Sequence, residues 1–182
     1  MPIVIADAGP FIALARVDRL ALLPALFGEV VVTEAVKTEL LAGVFAETAL
    51  LKAALSARWC KQQPKIATLA ERSTKLASNH LIGAGESSAI ALAQYYGERA
   101  TPALVLLDDA RGRRAAQRLQ IAMIGTTGVL LLGKQAELVS AAAPLLEALK
   151  RSGYFLSERL IKAALAQAGQ RESVIRPTTS PN

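Results

Sequence analysis

Short apolar, β-branched runs alternate along the chain with longer stretches whose apolar residues recur every three or four positions. The first pattern predicts buried strands and the second amphipathic helices. Ile3 to Ala6 is the opening strand, ended by Asp7, and Gly9 and Pro10 turn the chain into a short helical segment over Phe11 to Ala15. Asp18 is placed to cap a helix running to Phe27, where Gly28 ends it. Glu29 to Val32 reads as a second strand, and Thr33 as the N-cap of a helix that reaches Leu41 and stops at Gly43. The middle is less regular: a helix over Phe45 to Ser56, an extended piece over Arg58 to Gln63 before Pro64, and a helix over Ile66 to Ala77. Glu86 to Tyr96 is strongly helical, with Gly83 and Gly85 before it and Gly97 after it. Ala103 to Leu107 is the cleanest strand and runs into Asp108 and Asp109; a helix follows to Leu119. Ile121 to Ile124 is a further strand and Thr126 to Lys134 a short helix.

Val139 to Arg151 and Ser157 to Ala168 read as a closing helical pair within a single domain spanning residues 1–168. The polar, proline-containing residues 169–182 read as a disordered tail. Strands alternating with helices predict an α/β fold with a parallel sheet covered on both faces. Ligands of such folds sit at the carboxyl ends of the strands, where Asp7, Asp108 and Asp109 lie.

Composition narrows the choices. With 182 residues and 52% hydrophobic content the chain can bury a substantial core and is too apolar to be disordered. The most apolar stretch, Leu20 to Val32, is interrupted by Pro24, Gly28 and Glu29, short of the roughly 18 residues needed to span a bilayer. The first residues lack a basic segment and Asp7 breaks their apolar run, so no secretory signal is expected and the location predicted is cytoplasmic, without membrane association. One cysteine, Cys60, and one histidine, His80, exclude an intrachain disulfide and a Cys/His zinc cluster. Cys60 is expected to fill apolar space and His80 to lie in a loop. A formal charge of +6 favours polyanionic partners.

Two glycine-rich segments invite nucleotide-binding assignments and fail them. Gly83-Ala84-Gly85-Glu86-Ser87-Ser88 lacks the third glycine of a dinucleotide fingerprint and follows no buried strand. Gly128 to Lys134 begins like a phosphate-binding loop, but Gln135 replaces the required hydroxyl and Val129 to Leu132 is an apolar helical run. The Ser87-Ser88 pair has no nearby His or Lys to activate it as a nucleophile.

The acids are more informative. Asp7 follows a buried strand, Glu39 borders the apolar stripe of its helix, and Glu86 shares a face with Ala89, Ile90 and Ala93. Asp108 and Asp109 end the best strand. Each has a purely structural alternative: a local turn bond for Asp7, a rim position for Glu39, dipole complementation for Glu86, and a helix cap for one of the aspartates. Together they are harder to dismiss, because alternation puts the strand ends on one edge. Two like charges about 4 Å apart repel by roughly 4 kcal/mol at an effective dielectric near 20, so such a cluster needs a cation or raised pKa values. An all-oxygen donor set suits Mg²⁺ or Mn²⁺.

At these residues the sequence resembles the PIN-domain family, including VapC-like toxins. Ile5 to Leu14 is similar to the family's opening strand and first catalytic aspartate, Val30 to Leu40 to its second block with Glu39 in the acidic position, and Gly83 to Ala93 to its third with Glu86. Leu106 to Ala116 resembles the fourth, and Ile124 to Leu130 continues the match. The resemblance implies a three-layer α/β/α domain with a mainly parallel sheet of about four to five strands. It further implies a metal-dependent endoribonuclease, the toxin of a toxin–antitoxin pair, acting as a homodimer restrained by an antitoxin protein. Asp7, Glu39, Glu86 and Asp108 would be catalytic and, with Asp109, metal-holding; Asp108 is favoured over Asp109 as the residue aimed into the site. Arg111, Arg114 and Arg118 share a helical face suited to RNA phosphates, with a solvated helix face as the alternative. Ala8 and Gly9 depart from the serine or threonine common after the first aspartate, and Thr33 stands where proline is common. Two rivals keep the same acids: a catalytically silent nucleic-acid-binding or regulatory module, and a small-molecule phosphohydrolase.

Overall fold

A computed structural model describes residues 1–44 and 46–154. Five strands, β1 (Ile3–Ala6), β2 (Val30–Val32), β3 (Cys60–Gln62), β4 (Ala103–Leu106) and β5 (Ala122–Ile124), form one sheet in the order β3-β2-β1-β4-β5. Every pairing is parallel, with Ala6 opposite both Val32 and Leu106. The helices are α1 (Ala8–Arg16), α2 (Leu22–Phe27), α3 (Glu34–Ala42), α4 (Thr48–Ser56), α5 (Leu69–His80), α6 (Ala84–Gly97), α7 (Ala110–Arg118), α8 (Thr126–Gln135) and α9 (Ala143–Arg151).

Strand alternation divides the interior into two cores, as a three-layer α/β/α fold requires. Val4, Ala6, Val30, Val32 and Leu106 point to one face, where Phe11, Leu14, Leu23, Val36, Leu40, Leu130 and Leu146 cover them. Ile5, Val105 and Leu107 point to the other, against Ile90, Leu92, Ala115 and Ala116 of α6 and α7. β1 is central because both of its neighbours need it. The chain moves outward through β2 and β3, then returns to pair β4 against the opposite side of β1. This reversal opens a crevice at the carboxyl ends of β1 and β4, the place where open α/β sheets bind ligands.

Several boundaries differ from the periodicity. The extended piece before Pro64 is a true edge strand, Cys60–Gln62. Asp18 does not cap α2: it takes a left-handed backbone (φ 52°), and α2 begins at Leu22 without a side-chain cap. The helix expected over Ile66 to Ala77 is shifted to Leu69–His80, so His80 ends a helix instead of lying in a loop. The apolar residues Val139 to Ala142 lie outside α9, which starts at Ala143 with proline at its beginning, where a missing N–H costs nothing. Cys60 is buried in the first core, and burial pushes its thiol up to about 11, leaving it unreactive. Gly128 and Gly133 pack closely on Ile124 and Leu22, which accounts for them without a phosphate. The second closing helix (157–168) and the tail (169–182) fall outside the described residues.

Leu106 is fully buried between β1 and β5. Leu106→Ala is expected to cost about 2–5 kcal/mol in urea unfolding. A loss under about 1 kcal/mol would contradict its central position.

Candidate metal centre in an acidic crevice

Asp7 is the first residue past β1. Its backbone N–H donates to the Leu106 carbonyl (3.0 Å), extending the sheet by one bond and fixing where the side chain emerges. The side chain also caps α1, with Oδ2 accepting from Gly9 N–H at 3.4 Å. The residue is only 5% exposed, and Oδ1 is buried with no hydrogen-bond partner. A buried carboxylate oxygen left unpaired is costly and calls for an explanation.

Glu39 and Glu86 arrive from helices on either side. Thr33 caps α3 by accepting from Val36 N–H (3.2 Å) and lies 2.6 Å from Ser88 Oγ on α6. Ser88 donates its own proton to the Gly85 carbonyl (2.8 Å), so the Thr33 hydroxyl supplies the proton between the two. Proline at position 33 could do neither. This buried link ties α3 to α6 and with them Glu39 to Glu86.

Gly85 completes the crevice. A methyl carbon added there would lie 2.7 Å from Asp7 Oδ1 and 2.8 Å from Glu39 Oε2. The unpaired Asp7 oxygen and a Glu39 oxygen therefore border one small space that is open because residue 85 has no side chain. The electrostatics agree. Burial pushes the Asp7 carboxyl up to about 7, with Glu86 and then Glu39 adding repulsion against partly offsetting backbone hydrogen bonds. The Glu39 carboxyl is raised by partial desolvation and by Glu86, although the residue itself stands at the exposed rim.

Asp108 lies across the crevice in a different setting. Oδ1 accepts from Thr126 N–H (2.8 Å), while Oδ2 accepts from the Thr126 hydroxyl and from Tyr154 Oη–H (2.7 Å). Burial, followed by the charge of Asp108 and their hydrogen bond, raises the Tyr154 hydroxyl far above its ordinary range, so it remains a donor. Asp109 points elsewhere: Oδ1 caps α7, accepting from Arg111 N–H and Gly112 N–H, both at 2.8 Å. Arg111, Arg114 and Arg118 are exposed along α7. Arg113, which the sequence did not single out, turns inward and donates to the Leu107 carbonyl (2.9 Å), next to Asp108.

A family model described as a PIN domain matches residues 3–170. The chain belongs to the PIN-domain family. PIN domains are generally nucleases and typically depend on divalent metals. No curated protein matches the chain. No helix among the described residues is long and apolar enough to cross a membrane.

This PIN domain fits a hard divalent cation. An unpaired buried carboxylate oxygen, a second carboxylate across a space cleared by glycine, and a third within electrostatic reach make an oxygen-only donor set suited to such an ion. Among the described residues, no three acidic, histidine or cysteine side chains already stand together as a closed chelate. Ion binding would therefore require Glu39, exposed at the rim, or Glu86, half-buried, to swing inward.

Sequence reasoning missed Thr126, Tyr154 and Arg113. Thr126 had a weak signal as the first residue of the helix after β5, whereas Tyr154 had none, since its contact spans 46 residues.

Two outcomes follow from this geometry. Gly85→Ala would ordinarily favour a helix, but here it should lose about 1–3 kcal/mol in urea unfolding through overpacking against Asp7 and Glu39; a gain would mean that the space is larger than described. The second concerns pH. Asp7 holds its proton more tightly folded (about 7) than unfolded (near 3.8), so metal-free protein is most stable below about pH 4 in this respect and loses that contribution as pH rises through 7. Glu39 acts with the same sign. Asp7→Asn should therefore raise the metal-free melting temperature progressively more between pH 4 and pH 8; a pH-independent difference would contradict the raised pKa.

Proposed function

We propose that this PIN domain is a divalent-metal-dependent endoribonuclease that hydrolyses RNA phosphodiester bonds with Mg²⁺ or Mn²⁺. The supporting observation is the buried, unpaired Oδ1 of Asp7 facing Glu39 across the space at Gly85. Asp7, Glu39, Glu86 and Asp108 are the residues that would hold the ion, directly or through water. Asp109, committed to capping α7, would act only from a distance.

A bound divalent ion supplies charge neutralisation, polarises the phosphoryl oxygens and activates water. The chain's own groups prepare for it. β1 presents Asp7 with its side chain buried, which strengthens its interaction with an incoming ion. The Thr33–Ser88 link keeps the glutamates on opposing helices in register. Thr126 and Tyr154 hold Asp108 in a fixed orientation. Arg111, Arg114 and Arg118, exposed on the helix that follows Asp109, offer charge to the RNA backbone beyond the cleaved bond. With aromatic residues only 4% of the chain, contact with backbone is favoured over base stacking.

In its cellular setting we assign the protein the role of toxin in a toxin–antitoxin pair: cytoplasmic, homodimeric, and silenced by an antitoxin protein that covers the crevice. Its nuclease domain spans residues 1–168. The alternative, a catalytically silent nucleic-acid-binding or regulatory module, draws support from the absence of a closed three-residue chelate among the described residues.

Purified protein should cleave single-stranded or structured RNA in Mg²⁺ or Mn²⁺, and Asp7→Asn should lower the rate by at least about 100-fold, the scale of losing a positioned charge in a low-dielectric site. Cleavage that survives excess chelator, or the Asn variant at full rate, rules out the metal mechanism. RNA binding without cleavage selects the silent module.

A further inference from the structure

We propose that Tyr154 is a positioning residue for Asp108: its hydroxyl holds that carboxylate in the orientation that leaves a single open acceptor position, on Oδ1. This deepens the metal-dependent nuclease assignment above and rests on it.

An ionised carboxylate offers roughly four acceptor positions, two on each oxygen. At Asp108 the Thr126 hydroxyl and the Tyr154 hydroxyl (2.7 Å) fill Oδ2, and Thr126 N–H (2.8 Å) takes one position on Oδ1. Only one position remains. A carboxylate held in this way can meet a cation or its water through one oxygen and in one direction, whereas a free carboxylate can rotate or chelate with both oxygens.

Tyr154 is itself well placed for this task. It follows α9 closely, its N–H donates to the Leu149 carbonyl (3.1 Å), and its ring packs against the first core. Gly9 makes room for the hydroxyl. A carbon added to Gly9 would lie 3.3 Å from Tyr154 Oη, 3.6 Å from Asp7 Oδ2 and 3.9 Å from Asp108 Cβ. The phenol therefore enters the crevice through the space where α1 carries no side chain, bordering both aspartates. Hydrogen bonds that orient a metal-holding carboxylate commonly matter about 10–100-fold for affinity.

The test is Mn²⁺ affinity of the full chain, measured by water-proton relaxation, together with the metal-free melting temperature. Tyr154→Phe keeps the ring and removes only the donor, and it should raise the Mn²⁺ dissociation constant threefold or more. Leu145→Ala, which loosens the packing of α9 without touching Asp108, should lower the melting temperature and leave Mn²⁺ affinity unchanged. A change below threefold in Tyr154→Phe, or an equal weakening in Leu145→Ala, overturns the positioning role while leaving the nuclease assignment intact. Failure of the unaltered protein to bind Mn²⁺ more tightly than Asp7→Asn overturns both.

Discussion

The site depends on a carboxylate placed where a carboxylate is expensive. Asp7 stands at the end of the central strand, its backbone committed to β4 and its side chain buried. Native stability is a small difference between large terms, and an unpaired buried oxygen consumes an appreciable part of it. Such costs persist only where the surroundings enforce them, and they cluster at functional sites. Here the enforcement comes from three directions: the β1–β4 pairing, the α1 cap, and the Thr33–Ser88 link that presses α3 against α6.

The two sides of the crevice manage charge in opposite ways. Around Asp7, burial and neighbouring glutamates raise the pKa, and partners for Oδ1 are missing. Around Asp108, donors nearly saturate the carboxylate. Desolvation and like charges oppose the charged form of a carboxyl group. The Asp7 side thus gains most from an added positive charge, whereas the Asp108 carboxylate is already held by its donors. A divalent ion would relieve the first without having to organise the second.

Most of the architecture was legible in the sequence, and the reasons are local. Ile3–Ala6 and Ala103–Leu106 are β-branched or apolar runs of strand length, and Thr33 and Gly43 mark the ends of α3 through capping chemistry that operates within a few residues. Asp7, Glu39 and Glu86 were suspect because each interrupted or bordered an apolar pattern. β3 was harder: Lys61 and Gln62 are exposed on an edge strand, so its burial pattern carries little period-two signal. Asp18 misled because an N-cap residue and a left-handed turn residue share the same composition. Tyr154 was invisible, since no local rule connects a residue following α9 with a carboxylate following β4.

A basic chain encloses an acidic centre. The chain carries a net +6, yet four carboxylates surround the crevice or its rim, and a polyanion approaching them meets repulsion at short range. α7 offers a way through. Its N-terminus is occupied by Asp109, which satisfies the Arg111 and Gly112 amides, so the helix end is not itself an open anion site. Arg111, Arg114 and Arg118 project their charge along its exposed side, and Arg113 turns the other way to brace the Leu107 carbonyl beside Asp108. At physiological ionic strength exposed charges act over roughly 8 Å, so on the proposed function these arginines would attract a phosphate backbone only once it is near the surface. Attraction along α7 and repulsion at the crevice together would let an RNA strand lie against the helix without settling on the carboxylates until a cation bridges the two. On the proposed function, the same residues that make the site costly to fold would make phosphate engagement conditional on the metal.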